Sequence, residues 1–174
     1  MTNFSTEARQ LVSAVLTATS GSPNEASLRH EIEKALEISC NRLSINWTPF
    51  TLDLALRSTE RSSTQFADVA HGAVIIEYEA PRSFGGKSGA KLLHAQKQAE
   101  NYGLLLHTEE GRAIDDYVLV AWDGAHVSFG RYMAGNPTWE PLYAFDATQA
   151  ERLLHNLHNN GRPLVHPRLL SALV

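Results

Sequence analysis

The chain has 174 residues, 43% of them hydrophobic and 20% charged, with a formal charge of −4 and a single cysteine, Cys40. Length and composition fit one globular domain with a core of its own and exclude a disordered chain. The modest negative charge excludes the basic footprint of a stand-alone nucleic-acid binder, and a single cysteine excludes an internal disulfide and suits a reducing compartment.

No apolar run approaches a membrane span, and the first residues do not read as a leader, so a cytoplasmic chain with no membrane partner is expected. Residues 5–19 carry Leu11, Val12, Val15 and Leu16 in one stripe, which predicts an amphipathic helix that GSPN at 21–24 breaks. EASLRHEIEKALEIS predicts a second helix, with Leu28, Ile32 and Leu36 on one face and Asn24 as N-cap. INWTPFTLDLALR reads as an irregular strand broken by Pro49, and TERSSTQF as a polar connection. ADVAHGAVIIEYEA reads as a hairpin turning at His71-Gly72, and AKLLHAQKQAENYGLLL as a helix ending near Gly103. DYVLVAW and AHVSFGRY flank Asp123-Gly124, the clearest hairpin signal in the chain. PLYAF adds a short strand, and Asp146 caps a last helix, ATQAERLLHNLHNN, which Gly161 closes.

This order predicts an α/β fold, a central mixed sheet flanked by helices, in one domain over residues 1–174. An N-terminal helix at 1–20 precedes a core at 24–160 and a tail at 161–174. The tail stops inside an apolar helical pattern, RPLVHPRLLSALV, so it is expected to lead into a missing downstream region.

The functional signal lies in AVIIEYEAP. Strand propensity gives no reason for Glu77 and Glu79, because Glu is depleted both in strands and in cores. Side chains at i and i+2 share a face, so the two carboxylates converge. A two-residue turn at His71-Gly72 sets Ala70 opposite Ala73, Val69 opposite Val74 and Asp68 opposite Ile75, on the Glu77 face and diagonal to it. Three acids on one patch repel one another unless a cation sits between them, and Mg²⁺ takes such hard oxygen donors. The bland alternative is a strand with one solvated, charged face that resists aggregation.

These residues resemble the active-site core of the PD-(D/E)xK, or restriction-endonuclease-like, nuclease superfamily: an acid on one strand, then E-x-K after an apolar run on its neighbour. Asp68 in FAD matches the first acid and Glu77 in VIIEYEAP the second, while QAENY, Gln98 to Tyr102, matches the Q-x-x-x-Y of the RecB-like branch. Glu31, with Glu25 as the alternative, resembles the upstream helical acid. The tail and the hairpin VLVAWDGAHVSFGRY are similar to the N-terminal nuclease domains of large restriction enzymes and DNA translocases.

The resemblance implies a restriction-endonuclease-like core and a Mg²⁺-dependent endodeoxyribonuclease, with Mn²⁺ able to substitute. Asp68, Glu77 and Glu79 would be the metal ligands, Glu31 an assisting acid, Gln98 a residue steadying the site and Tyr102 a packing or backbone-contacting group. Its implied partners are DNA, other domains of a longer parent chain and, for cleavage of both strands, a transient homodimer.

Two departures from the pattern stand out. Ala67 replaces the proline before the first acid, and Glu79 replaces the lysine of E-x-K. Some members of the superfamily resemble this chain in carrying E-x-E. Otherwise the lysine comes from elsewhere: Lys87 in the glycine loop, Lys97, or Lys91, which lies two helical turns before Gln98 and shares its face. The remaining alternatives are a degenerate docking or DNA-binding module and a metal-dependent hydrolase acting on something other than DNA. SFGGKSG lacks the spacing of a phosphate-binding P-loop. His155 and His158 lack a third ligand at suitable spacing and read as helix surface.

Overall fold

The computed structural model of the protein describes residues 3–47, 69–86 and 89–161. Asp68 and Lys87, most of the stretch from 46 to 66, and the tail from 162 onward lie outside the described residues.

Two helices open the chain, α1 (Phe4–Gly21) and α2 (Glu25–Arg42). Each begins on an asparagine whose side-chain oxygen accepts a backbone N–H that the helix itself cannot satisfy: Asn3 from Thr6 (2.8 Å) and Asn24 from Ser27 (2.9 Å). A short hairpin follows, β1 (Val69–His71) and β2 (Val74–Tyr78), then α3 (Ala90–Glu110) and a second hairpin, β3 (Val118–Trp122) and β4 (His126–Met133). β5 (Asn136–Trp139), β6 (Tyr143–Ala144) and α4 (Ala147–Asn160) complete the described chain. Asp146 caps α4 as expected, accepting from the Gln149 N–H at 3.0 Å.

Among the described residues the strands form one six-stranded mixed sheet in the order β1-β2-β3-β4-β5, with β6 also paired to β4. The β2–β3 pair is parallel and the others are antiparallel. Parallel neighbours need a crossover, and α3 supplies it. Helices cover both faces, which explains why β2 and β3 read as nearly unbroken apolar runs rather than alternating ones. Val74, Ile76 and Tyr78 turn one way, into a core with Leu11 of α1, Leu28, Ile32 and Leu36 of α2, and Leu153, Leu154 and Leu157 of α4. Burying each of these aliphatic side chains contributes about 1.5–3 kcal/mol. Ile75 and Leu119 turn the other way, against Ala99, Tyr102 and Leu106 of α3. Among the described residues, no helix is long and apolar enough to cross a membrane.

Two local expectations are corrected. The first hairpin turns at Gly72-Ala73: His71 pairs with Val74, Ala70 with Ile75 and Val69 with Ile76. Gly72 takes a positive φ of 58° at the first turn position, where a side chain would be strained, and this slides the pairing by one residue. α3 also continues past Gly103 to Glu110, capped by Gly111 in the left-handed region. Gly103 is there for packing: a Cβ on it would lie 2.8 Å from the Tyr132 hydroxyl.

Candidate active site at the end of β2

The parallel strands β2 and β3 end side by side at Tyr78 and Trp122. In an open α/β sheet, the crevice outside the carboxyl ends of parallel strands is where ligands bind, because the chain leaves there into loops and helix starts. Here β2 places Glu77 in register with Ala121 of β3, and Ala121 packs with Ala95 of α3. Glu77 therefore occupies, on the α3 side, the alternating position that Ile75 fills with hydrocarbon one step earlier. It is 3% exposed. Glu79 follows with its N–H donated to the Trp122 carbonyl (3.0 Å), continuing the ladder, and is 2% exposed. Burying a carboxylate this deeply costs several kcal/mol unless it is paired and hydrogen-bonded.

For Glu79 the pairing comes from α3. Lys91 Nζ donates to Oε2 at 3.0 Å and His94 Nδ1 lies 2.8 Å from Oε1. Gln98 Nε2 lies 3.0 Å from His94 Nε2. The Gln98 amide is also 3.2 Å from His94 Nδ1, so it lies against the ring whose Nδ1 meets Glu79. Lys91, His94 and Gln98 stand at i, i+3 and i+7, one stripe of α3 beside its sheet-facing residues. Both partners sit at the surface, with 59% and 58% of the Lys91 and His94 side chains exposed. A buried anion is thus held by groups that water and a ligand can reach.

Of the residues singled out in the sequence, the structure brings Glu77, Glu79, Lys91 and Gln98 to one end of the sheet. Lys97 is directed elsewhere, pairing with Glu100 at 2.8 Å. Tyr102 is buried in the core between α3 and the sheet. Glu31 is not brought to this end: it pairs with Lys34 at 3.6 Å and lines a groove of about 920 Å³ between α1 and α2. Its neighbours Leu28, Ile32 and Leu36 take the inward stripe of α2, which turns Glu31 outward. Glu25, at the start of α2, is the helical acid that senses the site. Its carboxyl is raised above the usual carboxylate range by partial burial and then by the charge of Glu79, against the opposing pull of Lys91 and His94. Asp68 lies outside the described residues, as does Lys87.

His94 was missed from sequence, although its place three residues after Lys91 and four before Gln98 was the available signal. Asp123, fully buried just after β3, does more than form the turn that Asp123-Gly124 announces. Its carboxylate accepts backbone N–H groups from Phe84 (2.8 Å), Ala125 (3.0 Å) and His126 (2.6 Å), which ties the turn after β2 to the β3–β4 hairpin.

As a setting for a divalent ion, the donor chemistry fits: Glu77 and Glu79 offer the hard oxygens that Mg²⁺ takes one or two at a time. Among the described residues, no group of three or more His, Cys, Asp or Glu gathers as a complete ligand set. No family model, no curated protein and no solved structure matches the chain.

Proposed function

We propose that the chain is a Mg²⁺-dependent endodeoxyribonuclease domain of PD-(D/E)xK type, the nuclease module of a larger restriction or defence enzyme. The observation that carries this reading is the end of β2, where two carboxylates are buried two residues apart and the second, Glu79, meets an exposed lysine and histidine from the crossover helix. Asp68 and Glu77 would hold Mg²⁺ or Mn²⁺ there, with Glu79 as a third candidate donor, and the ion would acidify a water and neutralise charge on the phosphodiester. The chain's own groups do the rest. Lys91 offers an ammonium to a phosphate oxygen or to the attacking water. Gln98 steadies His94, and Tyr102 anchors α3 against the sheet. In the reaction the water oxygen bonds to phosphorus, the P–O3′ bond breaks, and a proton ends on the 3′ oxygen, leaving a 5′-phosphate and a 3′-hydroxyl.

A second reading, a nuclease-like docking or DNA-binding module without catalysis, is favoured by the glutamate standing where E-x-K has its lysine. Supercoiled plasmid incubated with the protein and Mg²⁺ or Mn²⁺ separates the two. Nicking by wild type that chelator, Asp68→Ala and Glu77→Ala each abolish supports the nuclease. Plasmid that stays supercoiled at every metal concentration, with retardation on a gel, supports the binding module. Hydrolysis of small phosphate esters without nicking would point to a different substrate.

A further inference from the structure

The geometry points to Glu79 as a positioning residue rather than a metal donor: we infer that its buried carboxylate anchors Lys91, so that the lysine missing from E-x-K is delivered from α3. This rests on the nuclease reading and assigns the division of labour within that site.

Both Glu79 oxygens are already engaged, Oε2 by Lys91 at 3.0 Å and Oε1 by His94 at 2.8 Å. To ligate an ion, Glu79 would have to share an oxygen that already serves Lys91 or His94, and set the ion beside the Lys91 ammonium. The side chain at position 79 lies where an E-x-K lysine would start, and Lys91 Nζ is brought against its carboxylate, so the ammonium arrives at the same end of β2 by the longer route. Lys91 has the freedom this requires, with its side chain 59% exposed and its tip held by a partner that is 2% exposed. A lysine on a four-carbon stem loses substantial rotamer freedom when it is fixed. A buried, doubly hydrogen-bonded carboxylate is a rigid point from which to fix it. Lys97 cannot take this part, since its ammonium is held by Glu100 on α3 itself. His94 completes the anchor by occupying Oε1, which leaves Oε2 to the lysine.

The test compares metal affinity with turnover. Isothermal titration of Mn²⁺ into wild type, Glu77→Gln and Glu79→Gln reads the donors directly, and plasmid nicking at saturating DNA reads kcat. If Glu79 positions Lys91, Glu79→Gln keeps Mn²⁺ affinity within about threefold while Glu77→Gln loses at least tenfold. Glu79→Gln and Lys91→Met each lower kcat at least tenfold with little change in KM. Their double variant is no worse than either single, because both remove one device. Lys91→Arg, which still spans to the carboxylate, restores activity above Lys91→Met. Loss of Mn²⁺ affinity in Glu79→Gln equal to that in Glu77→Gln overturns the assignment and makes Glu79 a donor. So does unchanged nicking in Lys91→Met. A wild type that neither binds Mn²⁺ nor nicks DNA removes the nuclease reading itself, and the assignment with it.

Discussion

Two buried carboxylates stand one strand apart, Glu79 after β2 and Asp123 after β3, and they are satisfied in opposite ways. Asp123 is held chiefly by backbone N–H groups of Phe84, Ala125 and His126, donors fixed by the local chain path, with the His126 ring Nδ1 also 3.3 Å away. Glu79 is satisfied by the tips of two side chains from another element, both largely exposed. A backbone-wrapped carboxylate stabilises a turn and has nothing to offer a ligand. A carboxylate held by solvent-facing side chains can exchange partners when a phosphate or an ion arrives. The difference marks Asp123 as architecture and the end of β2 as the place where chemistry is possible.

That contrast can be broken by experiment. The largest expected effect is on turnover: Glu77→Gln should lower the nicking rate by on the order of 10²-fold or more, with little change in the urea midpoint. Equal loss of stability and activity would mean that Glu77 is a structural group like Asp123. Asp123→Ala should be the most damaging to the fold, by about 3 kcal/mol in urea unfolding, because it strips the acceptor from three backbone N–H groups in a closed site. A loss under about 1 kcal/mol would show that water replaces the carboxylate and that the turn does not depend on it.

Glu25 sharpens the picture through pH. Its carboxyl is raised above the ordinary value of 4.5, so the folded chain holds that proton more tightly than the unfolded one. The stability it contributes is fully present below the unfolded value and is lost as pH rises through the raised one. Glu25→Gln should therefore unfold at slightly higher urea than wild type at pH 7, with the two midpoints converging near about pH 3. A midpoint below wild type at pH 7 would show that Lys91 and His94 outweigh burial and the charge of Glu79. The smallest effect belongs to Lys97→Met. Its exposed ammonium pairs with a buried Glu100 that keeps the Trp139 Nε1–H as a donor, so the loss should stay under about 1 kcal/mol, and nicking should be unchanged.

What the sequence made legible was local. Asn24 and Asp146 announce their helices because a cap needs only the next three residues. Asp123-Gly124 announces its hairpin, and the apolar runs of β2 and β3 announce a covered sheet. The turn at Gly72-Ala73 was not legible: with apolar residues on both faces of the hairpin, a one-residue slip costs no visible pattern. Nor was the reach of α3 past Gly103, whose cause is Tyr132 on a distant strand. At the candidate site, Glu77 and Glu79 are legible from strand periodicity, whereas Gln98, and Lys91 on its face, come only with the family resemblance. The choice between Glu25 and Glu31 depends on where α2 starts relative to the sheet, which periodicity within the helix cannot give. His94 was passed over because its partner, Glu79, is fifteen residues away and meets it only through the crossover.

The most direct measurement is the melting temperature across a Mn²⁺ titration, for wild type and Glu77→Gln. An ion that binds the folded chain alone stabilises it by about 2.7 kcal/mol at a hundred times its Kd, which for a chain of this size is a rise of about 5–10 °C. A working site at the end of β2 predicts that rise in wild type and a flat response in Glu77→Gln. A flat wild-type titration, or the same rise in both proteins, means that Glu77 holds no metal.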